Sequence, residues 1–202
     1  PEYSQLAFVP QLHAPTQFEG YQIIRELHAS HRSILYLAHE SGQKQPLVIK
    51  IPATEVQHDA YGVEQFLLEE WIAKRIHSPY VLSAYPQSRP RHAIYHTMQY
   101  IDGRTLKQWM ADQQQPVSLD QMRQIIAQVA KGLHAMHRLE MRHQDIRPEN
   151  IMLDQFGTAK IIDFGSCSVA GLREISRTPQ NIALGTLAYM APEYFLHEPA
   201  SN

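Results

Sequence analysis

The hydrophobic pattern changes period along the chain, and that change limits the folds open to it. Residues 21–24, 34–38 and 46–51 are short runs rich in aliphatic and aromatic side chains. They read as strands. Ser41-Gly42-Gln43-Lys44 supplies a turn between the last two. Short runs joined by tight turns predict an antiparallel meander. Over residues 63–76 the spacing becomes helical, with Val63, Phe66, Leu67, Glu70 and Trp71 in phase and Pro79 closing the segment. Residues 81–85 and 93–100 return to strand character, and Ile101-Asp102-Gly103 reads as a turn. Thr105 can cap a short helix through Met110. The clearest helix covers residues 119–136. Ser118 and Gln121 form a capping box at its start. Met122, Ile125, Ile126, Val129, Leu133 and Met136 recur at steps of three and four, as a core-facing stripe does. Residues 151–153 and 160–163 read as short strands. Residues 1–17, broken by Pro10 and Pro15, read as a linker or edge extension. The expected fold class is α+β, in two lobes: a β-rich lobe with one helix, then a mainly helical lobe, with a hinge near residues 99–103.

The 202 residues suffice for one ordinary domain or two small lobes. Hydrophobic residues make up 44% and charged residues 19%, a globular composition. Eighteen Lys and Arg nearly balance 20 Asp and Glu, so no strong field recruits nucleic acid or an anionic membrane. No run approaches the ~20 apolar residues of a membrane span. The single cysteine, Cys167, excludes an intrachain disulfide framework. It suits a reducing compartment, and a cytoplasmic location is expected. The chain starts at Pro1, which suggests a piece of a longer polypeptide.

Four polar signals fall at the ends of these elements. Lys50 ends the third strand, and Glu69 and Glu70 lie in the first helix. His143-Gln144-Asp145-Ile146-Arg147-Pro148-Glu149-Asn150 follows the long helix, and Asp163-Phe164-Gly165 follows a short strand. An Asp with an Asn five residues on, then a second Asp at a strand end, suits phosphoryl transfer. One carboxylate orients or deprotonates a hydroxyl, while the second Asp and the Asn supply hard oxygen ligands for Mg²⁺.

In order and spacing, Leu47-Val48-Ile49-Lys50, Glu69, His143-Gln144-Asp145, Asn150, Asp163-Phe164-Gly165 and Ala191-Pro192-Glu193 resemble the eukaryotic-type protein kinase family, in its bacterial Ser/Thr branch. The resemblance runs from Phe18 to Asn202. Within that branch, Glu26-Leu27-His28-Ala29-Ser30, Glu69-Glu70-Trp71, the 143–150 segment and Ala191-Pro192-Glu193-Tyr194-Phe195-Leu196 are similar to kinase domains fused to a type 2C protein phosphatase. The resemblance implies a kinase N-lobe with hinge over residues 18–101. It implies an incomplete, mainly helical C-lobe over residues 102–202, truncated after the Ala-Pro-Glu motif.

The family's roles carry over residue by residue. Asp145 matches the catalytic aspartate, and Arg147 stands where many relatives carry a lysine at the transferred phosphate. Asn150 and Asp163 match the metal ligands. Lys50 matches the lysine on the α- and β-phosphates, and Glu69, ten residues before Pro79, matches its partner. Glu70 is then a solvated or differently paired carboxylate. Met98 matches the gatekeeper. The Gln99, Tyr100 and Ile101 backbone forms the expected hinge to adenine, and Leu27, Leu35, Val48 and Met152 sandwich the purine. For Leu27 and Leu35, ordinary core packing is the competing reading. The implied cofactors are ATP and Mg²⁺, with Mn²⁺ as the alternative metal. The implied partners are a protein substrate bearing a Ser or Thr acceptor and a fused phosphatase domain.

Several positions depart from the family pattern. His28, Ser30 and Ser33 occupy the glycines of the phosphate loop. Side chains there weaken a tight backbone clamp on phosphate. Val48 replaces a usual alanine. Gln144 replaces the arginine that pairs with a phosphorylated activation loop, so activity is expected without phosphorylation of Ser176 or Thr178. Gly185-Thr186 matches the Ser/Thr-kinase pattern. Lys160 is expected to be solvated, and His143 to pack beneath the Asp-Phe-Gly segment. The resulting expectation is an ATP-dependent Ser/Thr protein kinase. The alternatives are a pseudokinase scaffold and, more remotely, a small-molecule phosphotransferase.

Overall fold

The computed structural model describes residues 6–87, 90–172 and 187–189. Ser176, Thr178, Gly185, Thr186 and the Ala191-Pro192-Glu193 segment lie outside the described residues. The chain divides into two units: residues 1–74 with 83–100, and residues 75–82 with 101–202.

The first unit is built on a five-stranded sheet in sequence order: β1 (Thr16–Phe18), β2 (Tyr21–Ala29), β3 (Ser33–Glu40), β4 (Pro46–Pro52) and β5 (His96–Gln99). Every pairing is antiparallel, and short turns join β1 through β4, whereas a long connection returns the chain to β5. Alternation along the strands decides which side chains enter the core. Tyr36 and Ala38 on β3 and Leu47, Ile49 and Ile51 on β4 are fully buried, and they pack with Ile23, Ala93 and Tyr95. Residues 6–15 join this unit. Ala7 bridges Ala93, Leu12 N–H donates to Tyr36 Oη (3.0 Å), and Val9 is buried in the core.

Two helices separate β4 from β5: the short α1 (Thr54–Gln57), which the hydrophobic spacing does not reveal, and α2 (Ala60–Ala73). Helix α2 starts three residues before the apolar spacing does. The reason is its cap: Asp59 Oδ1 accepts from Tyr61 N–H at 3.1 Å, which carries the helix through Gly62. The strand expected over residues 81–85 does not form. Only isolated bridges occur, Val81 with Ile161 and Ala84 with Met98, because the first two residues belong to one unit and the rest to the other.

The second unit holds α3 (Leu106–Ala111), α4 (Leu119–His137), the antiparallel ladder of β6 (Gly103–Thr105), β8 (Ile151–Asp154) and β9 (Ala159–Ile161), and the pair β7 (Met141–Arg142) with β10 (Ser168–Val169). Both helices open with the reciprocal capping box, Thr105 with Gln108 and Ser118 with Gln121. Gly103 is required where β6 meets β8, since a Cβ there would lie 2.1 Å from the Leu153 carbonyl oxygen. Ile125 and Val129 of α4 pack on Ile151, Leu153 and Ala159, and Met136 is fully buried. Met122 and Ile126 do not face the core as the stripe predicted. Ile126 is 67% exposed among the described residues. Ile125, Val129, Gly132 and Met136 form one strip at steps of three and four, while Leu119, Met122 and Ile126 form a second beside it. Only the first strip meets the β6–β8–β9 ladder. No helix among the described residues is long and apolar enough to cross a membrane. The α+β, two-lobed class matches expectation, with a β-rich first unit and the longest helix in the second.

Candidate active site

Polar groups collect in each unit around a local geometry that the sequence dictates. On β4, Leu47, Ile49 and Ile51 face the core, so Val48 and Lys50 take the opposite face. The ladder sets their cross-strand neighbours: Leu35 and His96 flank Lys50, and Leu37 and Met98 flank Val48. Leu27 falls at a bulge in β2, between the Glu26–Tyr36 and His28–Leu35 pairs. Gln99 pairs with Leu47, and its backbone N–H donates to the Ser83 carbonyl at 3.1 Å. Ile101 and Met152 lie in the second unit.

Lys50 Nζ donates to Glu69 Oε2 in a largely buried ion pair that joins β4 to α2. The ammonium also lies over the Phe66 ring, 5.9 Å from its centroid. His96 is buried against Phe66, with ring centroids 3.9 Å apart. Burial, and then the positive charges of Lys50, Arg91 and Lys74, hold the His96 imidazole well below its ordinary pKa, so it stays neutral beside the lysine.

The sequence leaves Glu70 solvated or differently paired, and the structure shows it differently paired. It is 3% exposed, and it accepts from both terminal nitrogens of Arg91 and from Lys74. No sequence signal selected Arg91 or His96.

At the β2–β3 turn, Ser30 closes the hairpin on itself. Its Oγ accepts from the amides of Arg32 and Ser33, both at 3.2 Å, and its own N–H donates to the Ser33 carbonyl at 3.0 Å. His28, His31 and Arg32 are exposed around it.

In the second unit, residues 143–150 leave β7 and turn through the 3₁₀ segment Pro148–Asn150. His143 is buried. Its Nε2–H donates to the Ile162 carbonyl (3.1 Å), and its Nδ1 accepts from Asp145 N–H (3.3 Å). A single neutral tautomer satisfies both contacts, and burial lowers the imidazole pKa accordingly. Its ring meets the edge of Phe164, with centroids 6.2 Å apart.

Asn150 Nδ2 donates to the Asp145 backbone carbonyl and to Asp145 Oδ2, each at 2.9 Å. Arg147 Nε stands 3.4 Å from the same Oδ2. Ile162 N–H donates to the Asn150 carbonyl (2.9 Å), which ties Asp163 to the loop. Gln144 and Asp163 both take positive φ, at 62° and 64°. That backbone is costly for non-glycine residues and is held here by the surrounding hydrogen bonds. One of them runs from Gly165 N–H to Asp163 Oδ1 at 3.1 Å. Lys160, expected to be solvated, instead donates from Nζ to the Pro79 carbonyl at 2.7 Å, and burial lowers its pKa.

The Asn150 amide oxygen and the Asp163 carboxylate are hard donors, and two such groups fit a hard divalent cation that takes oxygen ligands.

Comparison with known proteins gives a consistent picture. The family model described as the protein kinase domain matches residues 21–202. Serine/threonine-protein kinase PrkC of Bacillus subtilis is 28% identical over 173 residues, covering 86% of this chain and 26% of that protein. Probable serine/threonine-protein kinase PknB of Lactococcus lactis is 26% identical over 176 residues, 87% of this chain and 28% of that protein. The chain thus spans about a quarter of the length of these curated relatives. Among solved structures, the kinase domain of Mycobacterium tuberculosis PknI superposes with a TM-score of 0.64 at 25% identity, covering 77% of this chain and 62% of that one. With the match running from the first core strand to the last residue, the chain belongs to the protein kinase domain family.

Proposed function

We propose that the chain carries the nucleotide-binding and phosphotransfer groups of a Ser/Thr protein kinase, moving the ATP γ-phosphoryl group to a Ser or Thr hydroxyl of a protein substrate. The observation that carries the reading is Asn150, whose amide nitrogen holds Asp145 through two 2.9 Å hydrogen bonds and leaves its amide oxygen for a metal.

In this reading Asp145 Oδ accepts the hydroxyl proton as the new O–P bond forms, and the bond to the ADP oxygen breaks. Arg147, beside Asp145, faces the moving phosphoryl charge. Its planar fork contacts phosphate differently from a lysine. Lys50, oriented by Glu69, contacts the α- and β-phosphates. Leu27, Leu35, Val48 and Met98 of the first unit, and Met152 of the second, are the apolar residues this reading assigns to the purine, with the Gln99 and Ile101 backbone assigned to its edge. The Gln99 N–H already donates to Ser83, so the adenine contacts fall to the remaining hinge groups. Asn150 and Asp163 would hold Mg²⁺, which would neutralise charge on the phosphate oxygens. Most of the acceleration comes from positioning and charge neutralisation.

The lobe boundaries at residues 18, 101 and 202, a cytoplasmic location and a type 2C phosphatase in the same polypeptide belong to this reading. The subgroup motifs at 26–30 and 143–150 support the last. Gln144 supports activity without activation-loop phosphorylation.

A second reading, a scaffold without nucleotide, draws on the self-closed Ser30 turn. One experiment separates the two: thermal unfolding of the full-length protein with ATP, with and without Mg²⁺. At 100 times Kd a bound nucleotide adds about 2.7 kcal/mol of stability. A Mg²⁺-dependent shift that Asp163→Ala removes, followed by phosphate incorporation into Ser or Thr, is expected. No shift at millimolar ATP in a folded protein favours the scaffold.

A further inference from the structure

The geometry points to Arg91 as a positioning residue for the Lys50–Glu69 pair, acting by clamping the rotation of helix α2. This inference rests on the reading that Lys50 contacts nucleotide phosphate. Glu69 and Glu70 are consecutive on α2, so their side chains leave the helix about 100° apart. Glu69 reaches Lys50 on β4. Glu70 reaches Arg91, whose Nη1 and Nη2 sit 3.0 and 2.9 Å from its two carboxylate oxygens. Arg91 is in turn anchored, because Nη1 also donates to the carbonyl of Tyr95 at 2.8 Å, and Tyr95 is buried in the sheet core. Beside the apolar contact of Phe66 with His96, the helix therefore meets the sheet side through two ion pairs in different directions. One ion pair alone resists a roll of α2 about its axis less than two set in different directions.

The fork-to-fork geometry suits this role, because it sets angle as well as distance. Stability alone is a weak account of the pair, since a buried ion pair often matches a packed apolar substitute. Lys74 also contacts Glu70, but it is the C-cap of α2 itself, one turn away, and is half-exposed. It neutralises charge without tying the helix to the sheet.

The test uses the full-length protein and the conservative variants Arg91→Lys, which keeps the charge but loses the fork, and Glu70→Gln. ATP affinity and kcat/KM are measured together with thermal unfolding. Each variant is expected to weaken ATP binding about tenfold, and to add no further loss in a Glu69→Gln background, because the clamp acts through Glu69. Undiminished ATP affinity in both variants overturns the proposal. So does a loss that persists in full without Glu69, or a fall in unfolding temperature alone. Lys50→Met separates the two levels of the argument. If it binds ATP as the wild type does, the kinase reading of Lys50 fails and the clamp with it. If it loses affinity while Arg91→Lys does not, only the clamp falls.

Discussion

In the β2–β3 turn the hydrogen bonds run inward: Ser30 Oγ takes the amides of Arg32 and Ser33, and Ser30 N–H takes the Ser33 carbonyl. In the 143–150 loop they orient one carboxylate: Asn150 and Arg147 meet at Asp145 Oδ2, and His143 supports the Asp145 amide from beneath. Both segments resemble in sequence phosphate-handling regions of the family, yet they solve their backbone needs differently. The turn satisfies its own donors and has few left for a ligand. The loop uses buried partners to hold a charged group in one pose. A motif can thus be kept in one region and rewritten in another without loss of local order.

The largest effect expected is on the loop. On the proposed reading Asp145→Asn takes away the proton acceptor and should lower phosphotransfer by about a thousandfold, while ATP affinity stays near wild type. Equal turnover in variant and wild type, read as phosphate incorporation, would break the contrast outright.

A smaller effect concerns the support beneath that loop. Burial keeps the folded-state pKa of His143 below its ordinary value of 6.5. The unfolded chain therefore takes up a proton that the folded one refuses, and stability is full above pH 6.5 and falls as the pH drops toward the folded value. The limit for one such group is about tenfold in the folding constant per pH unit. His143→Gln should flatten the dependence of unfolding temperature on pH below 6.5. The neutral, buried His96 adds a slope of the same sign, so some dependence remains. An unchanged profile in the variant would remove His143 from the account.

The smallest effect is at the turn. Ser30→Gly releases two amides and should tighten ATP binding about fivefold, the worth of one net hydrogen bond of ~1 kcal/mol. Weaker binding in that variant would mean that the serine hydroxyl itself favours the nucleotide.

The same contrast explains what could be read from sequence. Helices α3 and α4 announce their starts, because a cap and its box are local signals within four residues. Asp145, Asn150 and Asp163 stand out because loop chemistry is written at short fixed spacings. Helix α2 began earlier than its apolar period because the cap, not the period, sets the first turn. Residues 81–85 looked like one strand because alternation cannot reveal that the run divides between two units. The partnership of Glu70 and Arg91 was invisible: the residues lie 21 apart, and only the fold brings them together. Ser30 was legible as a lost glycine, but its capture of two amides depends on a turn geometry that composition does not specify.

The division of the chain has a practical consequence. Residues 75–82 belong to the second unit, yet they lie between two stretches of the first. That short excursion supplies Val81 to bridge Ile161, the Tyr80 carbonyl against which Gly132 of α4 packs, and the Pro79 carbonyl that receives Lys160. Neither unit is therefore a contiguous stretch of gene. A cut at residue 100 would yield one fragment carrying a passenger and another missing a wall. Shuffling these halves between related proteins would have to exchange the excursion as well, so the two units are expected to be inherited and engineered as one piece.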